Sequence, residues 1–213
     1  MKMKSIIVTL LAILPFLGQS QETRYGFTSS IGYLSAKPEV TYANFIDDYA
    51  THEIKFLSGS PILNAGVFGQ KVWGWTYLRT DLVYSQYSLN YDIKHVEARQ
   101  EVITQTSDKF KNLDLQIAAG IYSNGVRIGM GTVVHYQLDY NTAFSTIEGF
   151  EGKSRNLTNG ILGNIGVDIA NFSIDFRYER ALKSIGDHIY LNGNKSRLKE
   201  TPDQMSLAVS YSF

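Results

Sequence analysis

Acids and bases recur along this chain at alternating positions: Arg79 and Asp81, then Asp114, Arg127, Asp139 and Asp168, then Asp175, Arg177 and Glu179. Four histidines, His52, His95, His135 and His188, add groups able to move a proton near neutral pH. Such sets can serve acid–base catalysis, an ion path, or a network of paired charges that replaces an apolar core. Metal chemistry has no support, because the chain lacks cysteine and no His/Asp/Glu grouping has ligand spacing. The glycines of "GIYSNG" and "GMG" belong to a turn and to a crowded strand face, not to a phosphate loop, and no cofactor is expected. His135 and Asp139 share one face of a strand but complete no recognisable Ser–His–Asp triad.

The elements that must carry these groups alternate with a period of two. In "LDLQIAAGIYS", Leu113, Leu115, Ile117, Ala119 and Ile121 form one face, and Asp114, Gln116, Ala118, Gly120 and Tyr122 the other. After Ser123-Asn124-Gly125, Val126, Ile128, Met130, Thr132, Val134, Tyr136, Leu138 and Tyr140 continue the apolar face. Opposite them stand Arg127, Gly129, Gly131, Val133, His135, Gln137 and Asp139. An Asn-Gly between alternating runs is a strong hairpin signal. Further runs at 25–35, 61–71, 75–91, 159–170, 172–183 and 204–213 make eight strands in all.

The connections alternate as well. Long segments at 36–60, 92–112, 141–158 and 184–203 are separated by short turns at 72–74, 123–125 and 170–171. In an antiparallel meander this pattern gathers the short turns and both termini at one end and four long loops at the other. Within the second long segment, "VEARQEVI" could form a short helical turn.

The polarity of the two faces decides the surroundings. In a soluble eight-stranded barrel the apolar set points inward. Here one face would place Asp81, Asp114, Arg127, His135, Asp139, Asn164, Asp168, Asp175, Arg177 and Glu179 together, which cannot form an apolar core. They can fill a narrow lumen as three sets, Arg79/Asp81, Arg127/Asp114 and Arg177/Asp175/Glu179, with the apolar face toward lipid. Tyr33, Tyr84 and Tyr136 would then mark one interface, and Trp73, Trp75 and Phe172 the other. The expected fold is all-β, an eight-stranded antiparallel up-and-down transmembrane β-barrel.

The beginning of the chain agrees. "MKMKSIIVTLLAILPFLGQSQ" has a basic start at Lys2 and Lys4, an apolar run from Ile6 to Leu17, and small residues Gly18 and Ser20 before a cut. Residues 1–20 read as a cleaved export signal, leaving 21–213 as one domain. Usage of 14 Tyr, 11 Phe and 18 Gly against 4 Pro suits many strands and turns. Lysine plus arginine balance aspartate plus glutamate at 20 each, so nothing points to nucleic acid.

With this leader, eight alternating strands and the terminal "VSYSF", the chain resembles the small outer-membrane β-barrel proteins of Gram-negative bacteria, and most closely their PorT-like group. The resemblance implies an outer-membrane location and a last strand, with Tyr211 and Phe213, read by the barrel-insertion machinery. It leaves activity open, because such barrels include envelope anchors, adhesins, secretion accessories and lipid-modifying enzymes. A non-enzymatic protein whose loops dock a partner or support the envelope is expected, with a lipid A acylase or acyltransferase as the alternative. In the last loop, Lys195, Arg197 and Lys199 are candidates for contact with lipopolysaccharide phosphates.

Overall fold

The computed structural model describes residues 22–35, 41–46, 50–97, 100–141, 150–154, 157–182, 186–191, 194–196 and 203–213. The export signal expected at 1–20 lies outside the described residues, as do Arg197 and Lys199. Among the described residues every regular element is a strand. In chain order they are β1 (Glu22–Ser35), β2 (Thr41–Ile46), β3 (Ala50–Gly59), β4 (Ile62–Trp73), β5 (Thr76–Glu97), β6 (Gln100–Ser123) and β7 (Val126–Asn141). There follow β8 (Phe150–Ser154), β9 (Leu157–Ile169), β10 (Phe172–Ala181), β11 (Gly186–Leu191), β12 (Asn194–Ser196) and β13 (Asp203–Ser212).

The eight strands expected from alternation are β1, β4, β5, β6, β7, β9, β10 and β13. They pair antiparallel in the order β5-β4-β1-β13-β10-β9-β7-β6, and β6 returns to β5, so these eight strands close into a ring. Three two-residue turns share one end. Asn124 and Gly125 both have positive φ, 49° and 82°, the type I′ geometry that matches strand twist, and Gly74 supplies φ 57° before Trp75. Ala170 takes φ 53° without being glycine. Its turn is held from outside by Arg24, which donates to the Ala170 carbonyl, and by the Ser212 amide, which donates to that of Asn171.

Closure is staggered. Following the register from Gln86 in β5 through Leu63, Ile31, Leu207, Phe176, Ile165, Ile128 and Ile121 returns to β5 at Thr76, ten residues away. With strands ~4.8 Å apart and ~3.3 Å rise per residue, this stagger tilts the strands by about 40° and sets a ring radius of about 8 Å. Such an interior has room for side chains and little else. All seven apolar residues on this path point outward, from 44% exposed at Ile31 to 60% at Leu63.

The connecting segments depart from expectation. Residues 92–112 are not a loop with a helical turn: β5 and β6 continue as one ladder up to Glu97 opposite Gln100. Val96, Val102, Ile103, Thr104 and Thr106 suit extended backbone, and pairing across the hairpin outweighs the local helix signal of "VEARQEVI". β3 lies along this extension and β2 along β3, so the segment 36–60 also carries strands. β8, β11 and β12 form a separate three-stranded sheet from the last two long connections. Total strand count is therefore higher than the eight read from alternation.

Inward positions of β6 and β7 are crowded by curvature. A Cβ at Gly131 would meet the backbone of Ile117 and Ala118, which cannot yield without breaking the ladder. Gly69, on the outer face, has open space around it. Gly131→Ala should therefore lower stability by about 2 kcal/mol. Gly69→Ala should change it by less than about 0.5 kcal/mol, both read from urea unfolding in detergent micelles.

Candidate functional site: the charged interior

Because side chains alternate across a strand, the inward set of each ring strand follows from one residue. β5 sends in Tyr77, Arg79, Asp81 and Ser85; β7 sends in Arg127, Val133 and His135; β10 sends in Ser173, Asp175, Arg177 and Glu179. All of them are buried except His135, which is half-buried. β13 contributes Gln204 toward the long-connection end and then only Ser206, Ala208, Ser210 and Ser212, and this small stretch leaves the volume that long side chains from the opposite strands occupy.

At the turn end, three guanidiniums converge on one carboxylate. Asp175 Oδ1 accepts from Arg127 Nη2 at 2.9 Å, while its Oδ2 lies 3.4 Å from Arg79 Nη1 and 3.7 Å from Arg177 Nη2. Arg79 also grips Asp81, with Nη2 to Oδ1 at 2.8 Å and Nε to Oδ2 at 3.0 Å, and donates to Ser210 at 2.7 Å. Its guanidinium sits 4.1 Å over the Phe68 ring. Arg177 reaches Asp81 at 3.1 Å and Gln116 at 2.6 Å. Arg127 donates to Gln70 at 2.6 Å and pairs with Asp168, which also accepts from Ser173 at 2.6 Å and lies 3.5 Å from Arg24.

Three buried guanidiniums thus meet three buried carboxylates, Arg24 joins from β1 with its own partner Glu22 at 2.5 Å, and side chains from all eight ring strands take part. The balance matters because an ion buried without a partner costs several kcal/mol. Space is found by omission: a Cβ at Gly166 would collide with the Asp175 carboxylate, and one at Gly129 with the Tyr77 hydroxyl. That hydroxyl donates to Asn164 at 2.9 Å.

Toward the opposite end lies a second group. His135 has Asp114 Oδ1 2.8 Å from Nδ1 and Glu179 Oε1 2.7 Å from Nε2, so the imidazole bridges β6 and β10 from its place on β7. Both ring nitrogens are occupied, and neither is left to act as base toward a serine.

Several expected positions are met differently. Arg127 does not pair with Asp114: the register puts Asp114 directly opposite His135, eight residues along β7 from Arg127. Glu179 likewise belongs with His135 and not with Arg177. Asp139 is not part of the buried network. A bulge between Lys111 and Asn112 gives β7 one extra residue, so Asp139 turns to the outer face, where it meets Lys111 at 3.1 Å with 58% of its side chain exposed. Gln116 and Asn164 stand inward, as their parity gave; Gln70 and Ser210 were absent from the expected charge network, and their inward parity was the available signal.

The outer face carries the expected aromatics. Tyr33, Tyr84 and Tyr136 are exposed, as are Trp73, Trp75 and Phe172 at the turn end. Phe213 packs against β1, 5.3 Å from Phe27 and 6.2 Å from Tyr25, while Tyr211 meets Phe172 at 5.1 Å. The Phe213 amide donates to the Tyr25 carbonyl at 3.1 Å, so the last residue is tied to the first strand. Lys195 stands opposite Tyr190 in the β11–β12 register, and His52 opposite His95 in β3–β5. His188 lies in β11. Among the described residues no His/Asp/Glu group could hold a metal ion.

Comparison of the sequence with protein-family models and with curated proteins finds no match.

Arg127 is fully buried between Asp168 and Asp175. Arg127→Leu should strip two buried carboxylates of a partner and cost about 3 kcal/mol or more, whereas Ile128→Leu on the outer face should cost less than about 1 kcal/mol. Urea unfolding in lipid vesicles reads the contrast; equal small losses would contradict the roles given to the two faces.

Proposed function

We propose that this chain is an integral outer-membrane β-barrel protein without enzymatic activity, whose interior is a solid plug and whose long-connection end carries its interactions. The observation that supports this best is the inversion of polarity: buried guanidiniums and carboxylates inside, and a belt of exposed aliphatic side chains around the whole ring. In water that belt would be an apolar surface far beyond what a soluble monomer exposes. In a bilayer it meets hydrocarbon, and the closed ladder leaves no backbone amide unpaired within it. The exposed aromatic residues near each end of the belt suit the two interfaces.

A filled interior of about 8 Å radius argues against a diffusion pore. Function then rests with the connections opposite the turns, as an envelope component or as an accessory of a secretion, assembly or adhesion complex. PorT-like proteins remain the resemblance this reading follows. Lipopolysaccharide contact through Lys195, Arg197 and Lys199 is part of the same proposal. Against a lipid-modifying enzyme stands His135, whose two nitrogens are already held by carboxylates. Lipid A species compared by mass spectrometry with and without the protein should be identical.

Two outcomes test the membrane reading. Ile165→Lys, in the middle of the belt, should cost about 2–4 kcal/mol for folding into vesicles, because the ammonium would sit in hydrocarbon. A soluble ring would tolerate the same outward lysine. Removal of Phe213 should sharply reduce the folded fraction in isolated outer membranes, read by heat-modifiable electrophoretic mobility, while Ser212→Ala keeps it. Full insertion without Phe213 would sink its role as an insertion signal.

A further inference from the structure

Outside the ring, the exposed face of β5, β6 and β7 changes its chemistry in order along the strands. Tyr84, Leu113 and Tyr136 stand in one row across the three strands, all exposed, and mark the rim of the apolar belt. The next outward positions of β6 are Lys111 and Lys109, opposite Gln86 and Ser88 of β5. Lys111 meets Asp139 at 3.1 Å, an exposed pair that water screens and that a phosphate could replace. Lys109 is exposed and makes no ion pair with a described residue. Beyond the lysines, Ser107 and Gln105 continue the same face, and with Asn90, Ser58, Thr106 and Leu57 they line an open groove of ≈ 610 Å³. No charged side chain lines that groove. Its hydroxyls and carboxamides can donate and accept alike, and Asn90 donates to Ser58 at 3.2 Å.

We propose that this face binds a phosphorylated glycolipid, with acyl chains against the belt, a phosphate at Lys109 and Lys111, and the first sugars in the groove. The site is separate from Lys195, Arg197 and Lys199, and it rests on the membrane reading. Height selects the lipid. With ~3.3 Å rise and about 40° tilt each residue climbs about 2.5 Å, so Lys111 and Lys109 stand roughly 5 and 10 Å beyond Leu113, and Ser107 roughly 15 Å. The headgroup layer of one leaflet is about 5–8 Å thick, so a phospholipid reaches the lysines and stops short of the groove. A lipid that carries sugars beyond its phosphate reaches both. The groove has the volume of a small-molecule site, and its uncharged hydrogen-bonding wall suits hydroxyl groups. Asp92, opposite Gln105, is the outward acid at the far side and does not line the groove, so the anionic part of the ligand belongs at the lysines.

The test titrates the protein folded in detergent micelles, at fixed ionic strength, with lipopolysaccharide, with the same lipid dephosphorylated, and with phosphatidylglycerol. Native mass spectrometry counts the bound lipid, and heat-modifiable mobility checks the folding of each variant. Lipopolysaccharide should bind saturably. Loss of its phosphates, or of its sugars as in phosphatidylglycerol, should weaken binding about fivefold or more. Lys109→Gln should weaken lipopolysaccharide about fivefold, and Asn90→Ala about threefold. Asp139→Asn should tighten it about threefold by releasing Lys111, a gain that damage to the fold cannot imitate. Binding that ignores Lys109→Gln but is lost when Lys195, Arg197 and Lys199 are replaced by Gln would overturn this site and leave the membrane reading standing. That reading has its own test in Ile165→Lys. Equal binding of phosphatidylglycerol, or no binding of lipopolysaccharide, would also overturn the site.

Discussion

Three arginines share one aspartate, and the rest of the ring is arranged around that contact. Asp175 could not hold Arg79, Arg127 and Arg177 together unless Asp81 and Asp168 supplied the other two negative charges. Those carboxylates come from β5 and β9, the hub from β10, and the guanidiniums from β5, β7 and β10. Each strand is therefore fixed in rotation as well as in register. Turning one about its axis would expose apolar residues to the charges and carry a partner away from them. Where an ordinary core is held by non-directional burial, this one is held by groups that accept only a few geometries.

The backbone ladder and the charge network constrain one another. A ring of eight strands could close with several staggers, each bringing different inward residues to one level. The observed stagger of ten residues brings Arg79 of β5 to Asp175 of β10 across the interior, and brings Glu179 to His135. The hydrogen bonds of the sheet alone do not select among staggers. Pairing of buried charge gives one of them an advantage, and the glycines at 129 and 166 give it the volume.

The strands of the ring were legible in the sequence because each has one apolar face and tight turn residues beside it. Arg79, Arg127, Asp175 and Arg177 were legible as inward for the same reason. Their partners were not. Alternation fixes parity within a strand but says nothing of the offset between distant strands, so Asp114 fell to Arg127 on paper and to His135 in the fold. Parity itself breaks at a bulge, and the extra residue in β7 that turns Asp139 outward has no turn residue or glycine to announce it. The extensions of β5 and β6 mix Lys94, His95, Glu97 and Glu101 with Val96, Val102 and Ile103, leaving neither face consistently apolar; their pairing comes from the partner strand.

The small inward face of β13 bears on the order of assembly. A strand that completes a ring must pass its side chains into whatever already stands there. Ser206, Ala208, Ser210 and Ser212 need almost no clearance, while the long charged chains are all carried by earlier strands. The interior can thus be nearly complete while a gap between β1 and β10 remains open, and the last strand enters as a keystone that lifts nothing out of place. Beyond Gln204 its bulk is all on the other side, where Phe213 lies along β1 and seals the joint from without.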